Sequence, residues 1–185
     1  MRTDQFRHWR GFTLIEGLVT VAILSTLMAL VVPSAIEWIR IQRIKASADE
    51  LVTDLQFARS EAVRRNLDVQ ITFMADTTQT CYTVHTINAQ ACKCTRGAGL
   101  SCLSSQTRTE LKTVSLPAAD KVSLSSNLVK SVYASASGFV GSAGVLQVTV
   151  GDGADRKLEV RTNVTGRPSI CAPAGSKLKG YSPCA

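Results

Sequence analysis

Gly11-Phe12-Thr13-Leu14-Ile15-Glu16 opens an apolar run that continues to Ile39, and the reading of this stretch decides the fold. Between Leu14 and Ile39 the charged residues are Glu16 and Glu37 alone. A run of this length fits a spanning helix, which needs about 20 apolar residues. The eleven residues before it, MRTDQFRHWRG, are basic, with Arg2, Arg7 and Arg10 against Asp4. They look like the first part of a secretory signal, whose apolar core is about 7–15 residues long and ends at a small-residue cleavage site. Here the run is longer and ends in Glu37-Trp38-Ile39-Arg40. The oddity is Glu16. A carboxylate costs about 2.5–3.5 kcal/mol at the centre of a bilayer and less near its edge. Glu16 is therefore either a functional intramembrane acid or an interfacial group that snorkels into water.

The helical pattern does not stop with the apolar run. From Ile36 to Asn66 there is neither Gly nor Pro. Ile44, Leu51, Leu55, Ala58 and Ala62 recur at the spacing of one helical face. Phe12 to Asn66 thus predicts one helix, roughly 80 Å long at 1.5 Å per residue. Residues 12–39 form its transmembrane part. The remainder carries an apolar stripe that another part of the chain must cover. Pro33 lacks an N–H and is expected to kink or loosen the helix.

The cover is residues 67–185, which predict a β-rich head. Asp68–Met74 and Cys81–Ile87 alternate as strands do, with Asp76-Thr77-Thr78-Gln79 as the turn. Residues 88–111 read as a loop rich in Cys, Gly and Ser. Val122–Ser125, Val145–Val150 and Lys157–Thr162 are further strand candidates, the last two flanking the hairpin signal Gly151-Asp152-Gly153. The fold class is α+β: a long N-terminal helix packed on a small, mainly antiparallel sheet.

Six cysteines, Cys81, Cys92, Cys94, Cys102, Cys171 and Cys184, all follow the apolar run. An even set on one side of a membrane span points to disulfides in an oxidising compartment. Basic residues flank both ends of the span, so charge alone does not orient it; the cysteines place the head outside the cytoplasm. Sequence proximity pairs Cys81 with Cys92, Cys94 with Cys102, and Cys171 with Cys184. The rival is zinc at Cys92-Lys93-Cys94 with His85, a spacing unlike the usual CxxC.

The formal net charge is +7. Residues 156–185 hold Arg156, Lys157, Arg161, Arg167, Lys177 and Lys179 against Glu159. Such a cluster is either a solvated basic edge or an attractant for nucleic acid. Nothing reads as a catalytic constellation. There is no GxSxG, GxGxxG or P-loop. His8 lies in the leader and His85 in a strand. No enzyme activity, cofactor or metal is expected.

Gly11-Phe12-Thr13-Leu14-Ile15-Glu16 after a short basic leader closely resembles the type IV prepilin (class III) signal. The resemblance implies a leader of residues 1–11, cleavage by a membrane prepilin peptidase between Gly11 and Phe12, and N-methylation of Phe12. It also implies that Glu16 attracts the N-terminal amine of a neighbouring subunit during assembly. Gly17 stands where many pilins carry a larger apolar residue. Leu55–Asn66, entering a strand at Asp68, resembles the helix end of the GspH/FimT group of minor pilins and pseudopilins. That likeness implies a single-pass protein of the bacterial inner membrane with a periplasmic head, which then enters a pilus or pseudopilus beside other pilins and minor pilins. The function implied is a minor pilin that helps initiate or cap a type IV pilus. The alternatives are a minor pseudopilin of type II secretion and a DNA-binding minor pilin acting in DNA uptake. Some members of the group bind DNA through Gly-Arg-x-Arg; here the matching place reads Gly166-Arg167-Pro168-Ser169. Arg167, Lys177 and Lys179 are the candidate DNA contacts, expected to bind weakly and without sequence preference.

Overall fold

In the computed structural model the chain is described at residues 12–86, 109–135, 140–141, 145–153, 155–163 and 165–184. Helix α1 runs from Leu14 to Arg65. Thr13 caps its start, accepting a hydrogen bond from the Glu16 amide at 3.3 Å. The helix is unbroken at Pro33, where the ring removes the bond that an N–H would give to the Ala29 carbonyl. Its end is a Schellman motif. Asn66 takes a left-handed φ of 51°, Asn66 N–H donates to Val63 O and Leu67 N–H to Ala62 O. Arg64 and Arg65 complement the negative end of the helix dipole.

The chain divides into one compact unit up to Ile39 and another from Arg40. In the first, every large apolar side chain from Phe12 to Ile39 is exposed. By length and composition this helix is apolar enough to cross a membrane.

In the second unit the expected stripe is the buried one: Ile44, Leu51, Leu55, Ala58 and Ala62 are fully buried, joined by Ala48. They enter one core with Val69, Ile71, Tyr82 and Val84 from one sheet and Val148, Val150, Leu158 and Val160 from another. The strands are β1 (Val69–Ala75), β2 (Gln79–Thr86), β3 (Glu110–Pro117), β4 (Ser123–Ser126), β5 (Lys130–Tyr133), β6 (Val140–Gly141), β7 (Gln147–Gly151), β8 (Lys157–Thr162) and β9 (Pro168–Cys171). One sheet has the order β3-β2-β1-β5-β6 and the other β4-β7-β8-β9. The named ladders are antiparallel.

The β1–β2 and β7–β8 hairpins fall where the alternation and turn signals put them, within one or two residues. β3, β5, β6 and β9 were not expected. β3 begins at Glu110, inside the stretch read as loop to residue 111; the rest of that loop up to residue 108 lies outside the described residues. β3 is an edge strand, mostly half-buried on both faces, so no alternation marks it. β9 begins with Pro168, which gives the ladder no donor and is tolerated because the strand is at an edge.

Candidate functional site

The start of the apolar helix is a self-contained polar problem. Four of its hydroxyls are satisfied by the helix itself: Thr20 donates to Gly17 O, Ser25 to Ala22 O, Thr26 to Ala22 O and Ser34 to Val31 O. The Glu16 carboxylate, one turn from Phe12, has no hydrogen-bond or ion-pair partner among the described residues. Thr13 and Glu16 stand in the Ser/Thr-x-x-Glu relation of a capping box. The cap role of Thr13 was legible in that spacing and was missed. Gly11 lies outside the described residues.

Further along, α1 is fastened to the first sheet by polar contacts. Asp54, buried on the helix stripe, accepts hydrogen bonds from Tyr82 Oη at 2.7 Å and Lys112 Nζ at 2.8 Å. Lys112 also reaches Glu50 at 3.1 Å. Burial raises the Tyr82 phenol far above its usual range, and the bond to Asp54 adds to the rise. Burial pulls the Lys112 ammonium down, but the bonds to Asp54 and Glu50 outweigh it and leave it raised. Glu61 is held by Arg64 and Arg65. The hydrogen bonds from Arg64 and then Arg65 lower its carboxyl to about 2.

His85 is packed, not poised. Its Nε2 meets Thr72 Oγ1 at 2.9 Å and its Nδ1 meets Thr86 O at 3.0 Å. Both ring nitrogens are thus committed, and burial lowers its pKa. Among the described residues no group of three His, Cys, Asp or Glu side chains is arranged to hold a metal.

The basic tail does not converge. Arg161 pairs with Glu159 at 2.6 Å and Arg156 with Asp152 at 3.0 Å. Lys177 pairs with Asp155 at 2.7 Å. Ser176 Oγ donates to the carbonyl of Lys157, the first residue of β8. Arg167 stands beyond the other end of β8, in the turn that leads to β9. Six residues of strand separate the two places, roughly 17 Å. Lys179 is exposed.

The tail itself is tied down. Cys171 and Cys184 form a disulfide. Ala172 N–H donates to Ser182 O and Cys184 N–H to Ala172 O. Leu178 is buried, and Lys45 Nζ sits 5.8 Å from the centre of the Tyr181 ring. Cys81 is also disulfide-bonded; Cys92, Cys94 and Cys102, and so the other two expected pairings, lie outside the described residues.

The Arg167 turn is rigid. Asn163 Oδ1 accepts from the Arg167 amide at 2.9 Å and from Thr165 Oγ1 at 2.6 Å. Gly166 takes a left-handed φ of 74°, which a side chain would strain. Beside this turn lies a groove of about 640 Å³, lined by Gln56, Arg59, Ser60 and Val63 of α1 and by Gly166, Arg167 and Pro168. Sequence reasoning missed Arg59, because its partners in the groove lie about 100 residues away.

The profile of the prokaryotic N-terminal methylation motif matches residues 10–32, covering the helix start. The fold resembles a crystal structure of the type IV minor pilin FimU of Pseudomonas aeruginosa, with 16% identity, a TM-score of 0.52, and coverage of 70% of this chain and 88% of that one. A second crystal form of FimU gives 15% identity and a TM-score of 0.46, over 68% of this chain and 90% of that one. No curated protein matches by sequence. The profile described as type II transport protein GspH matches residues 47–166, about two thirds of the sequence, from the buried half of α1 to the Gly166 turn. A methylation-type helix start that runs into a GspH-type head is the plan of a pilin, and this chain belongs to the GspH family of pilin-like proteins.

Proposed function

We infer that this protein is a minor pilin, a structural subunit that helps initiate or cap a type IV pilus. The observation that carries the reading is the division of labour along α1. One face of its C-terminal half is buried by the head, while every large apolar side chain from Phe12 to Ile39 is left uncovered. A bilayer covers such a surface before assembly, and like helices of neighbouring subunits cover it afterwards. Glu16 fits the same account. Its lone carboxylate matches the positive amine that cleavage after Gly11 would create on a neighbour, and that pairing offsets the cost of burying the charge. Phe12 would carry the methyl group. The likeness to FimU, described as a type IV minor pilin, supports the pilus. The GspH description supports a second reading, a minor pseudopilin of type II secretion in the same structural role.

The test uses the protein in its own cells. Wild type should begin at Phe12 and appear in filaments sheared from the surface. Gly11→Leu should leave a precursor heavier by about eleven residues. Glu16→Val should be cleaved and membrane-inserted yet absent from filaments. Recovery of wild type beginning at Met1 would refute the reading. A gene deletion that abolishes surface pili but spares secretion selects the pilus, and the converse selects the secretion system.

A further inference from the structure

Of the eight described arginines from Arg40 onward, five pair with a carboxylate. Arg43 holds Asp120, Arg64 and Arg65 hold Glu61, Arg156 holds Asp152 and Arg161 holds Glu159. The other three are Arg40, Arg59 and Arg167, and two of these line the same groove. Among the described residues no Asp or Glu lines it. A cleft holding two guanidiniums and, among its described lining residues, no acid is complementary to a ligand that brings acids.

We propose that this groove docks an acidic, extended segment of a neighbouring pilin-like subunit, whose carboxylates pair with Arg59 and Arg167. The proposal rests on the minor-pilin reading and deepens it by naming a contact surface on the head. Guanidinium groups match carboxylates in a planar, two-bond geometry. Val63 and Pro168 supply apolar wall, and Gln56 and Ser60 supply polar side chains for a backbone. The volume lies in the range of ligand-sized clefts, about 300–1,000 Å³, and suits a few residues of extended chain. The groove adjoins the Pro168 end of β9, an edge strand of its sheet whose other end meets the tail at Ala172. The Asn163 contacts hold the Arg167 turn in place before any partner arrives, which lowers the cost of binding.

Nucleic acid is the poorer occupant. A single strand is held by a track of cations interleaved with stacking rings. Among the described residues no aromatic lines this groove. Arg161 is committed to Glu159, and Lys177 is held at the far end of β8.

The test keeps the full chain in its own membrane and filament. A benzophenone amino acid replaces Ser60, inside the groove, and in a control replaces the exposed Thr53 on the same helix. After irradiation, mass spectrometry should find one adduct specific to the Ser60 position. It should join a segment of another subunit with an N-terminal methylation motif, and Asp or Glu should flank the cross-link. Arg59→Glu with Arg167→Glu should cut this adduct at least about tenfold. Arg59→Gln with Arg167→Gln gives the same direction with less risk to folding. Placing Arg at the mapped partner acids should restore the adduct of the double Glu variant. An adduct to nucleic acid, one to a segment without acids, or one indifferent to both double variants overturns the proposal. Wild type absent from filaments overturns the minor-pilin reading beneath it; wild type present with an indifferent adduct overturns the groove alone.

Discussion

Replacing Asp54 tests whether α1 is locked to the sheet by one buried hydrogen bond or merely laid on it by apolar contact. Tyr82 is almost fully buried, and its hydroxyl donates to Asp54 at 2.7 Å. Asp54→Leu keeps the branched heavy-atom skeleton but cannot accept a hydrogen bond, so it strands that hydroxyl at a cost of about 1–3 kcal/mol. The ion pair with Lys112 is also lost, but Lys112 is 37% exposed and retains Glu50, so this adds about 0.5 kcal/mol after solvent screening. The sum is about 1.5–3.5 kcal/mol, or roughly 3–14 °C in melting temperature for a chain of this size. Asp54→Asn separates the two contributions. Its amide oxygen still accepts from Tyr82, so only the Lys112 pair is weakened and the loss should stay below about 1 kcal/mol. In a Tyr82→Phe background the stranded hydroxyl does not exist, and Asp54→Leu should become cheaper by about 1–3 kcal/mol. The assay is thermal unfolding of the full chain in detergent micelles, followed by near-ultraviolet circular dichroism. Equal losses for the Leu and Asn variants, or strict additivity with Tyr82→Phe, would refute the lock.

Cys171→Ser with Cys184→Ser opens a loop of 13-residue separation and should cost about 3 kcal/mol in the chain-entropy account; faster amide exchange at Leu178 and Tyr181, with β7 and β8 unchanged, would mark the effect as local. Acid should weaken the head in two stages. His85 has a folded pKa below its ordinary 6.5, so its contribution is complete above pH 6.5 and drains away as pH falls below it. Glu61 is lowered from 4.5 to about 2, so its contribution is complete above pH 4.5 and is lost as pH falls towards 2. Melting temperatures of His85→Gln and Glu61→Gln against pH should each lack only their own stage. Gly166→Ala forces a side chain into the left-handed region and should cost about 1 kcal/mol, read as a fall of roughly 2–4 °C.

What the sequence disclosed follows the range of the forces involved. The helix and its buried stripe are repetitive and local, so Ile44, Leu51, Leu55, Ala58 and Ala62 announce themselves by spacing. β1, β2, β7 and β8 alternate because one face of each meets the core. Edge position hid β3 and β9, where neither face is strongly selected. Asp54 and Glu61 escaped for a different reason. They sit on the buried face of α1, yet an acid in a helix reads as solvent-facing until its partners are known, and Tyr82 and Lys112 lie 28 and 58 residues from Asp54. The Cys171–Cys184 bond was readable because its loop is short. The groove was not, because Arg59 and Arg167 meet through the tertiary fold alone.

The two sheets are threaded through each other in chain order, and this bears on how the head folds. After β1, β2 and β3 the chain leaves the first sheet to lay down β4. It then returns to place β5 beside β1 and β6 beside β5, and leaves again for β7, which pairs with β4. The β1–β5 pairing joins Val69 to Tyr133 across 64 residues, and the β4–β7 pairing joins Leu124 to Val150. Neither sheet is complete when the chain first quits it, so neither offers a finished surface on which the other could be built. Loops must close before the contacts that reward them exist, and such topologies fold slowly. Stopped-flow refolding should therefore show both sheets appearing in one phase, well after α1, because the helix forms from neighbours and the sheets must wait for strands that are still to come.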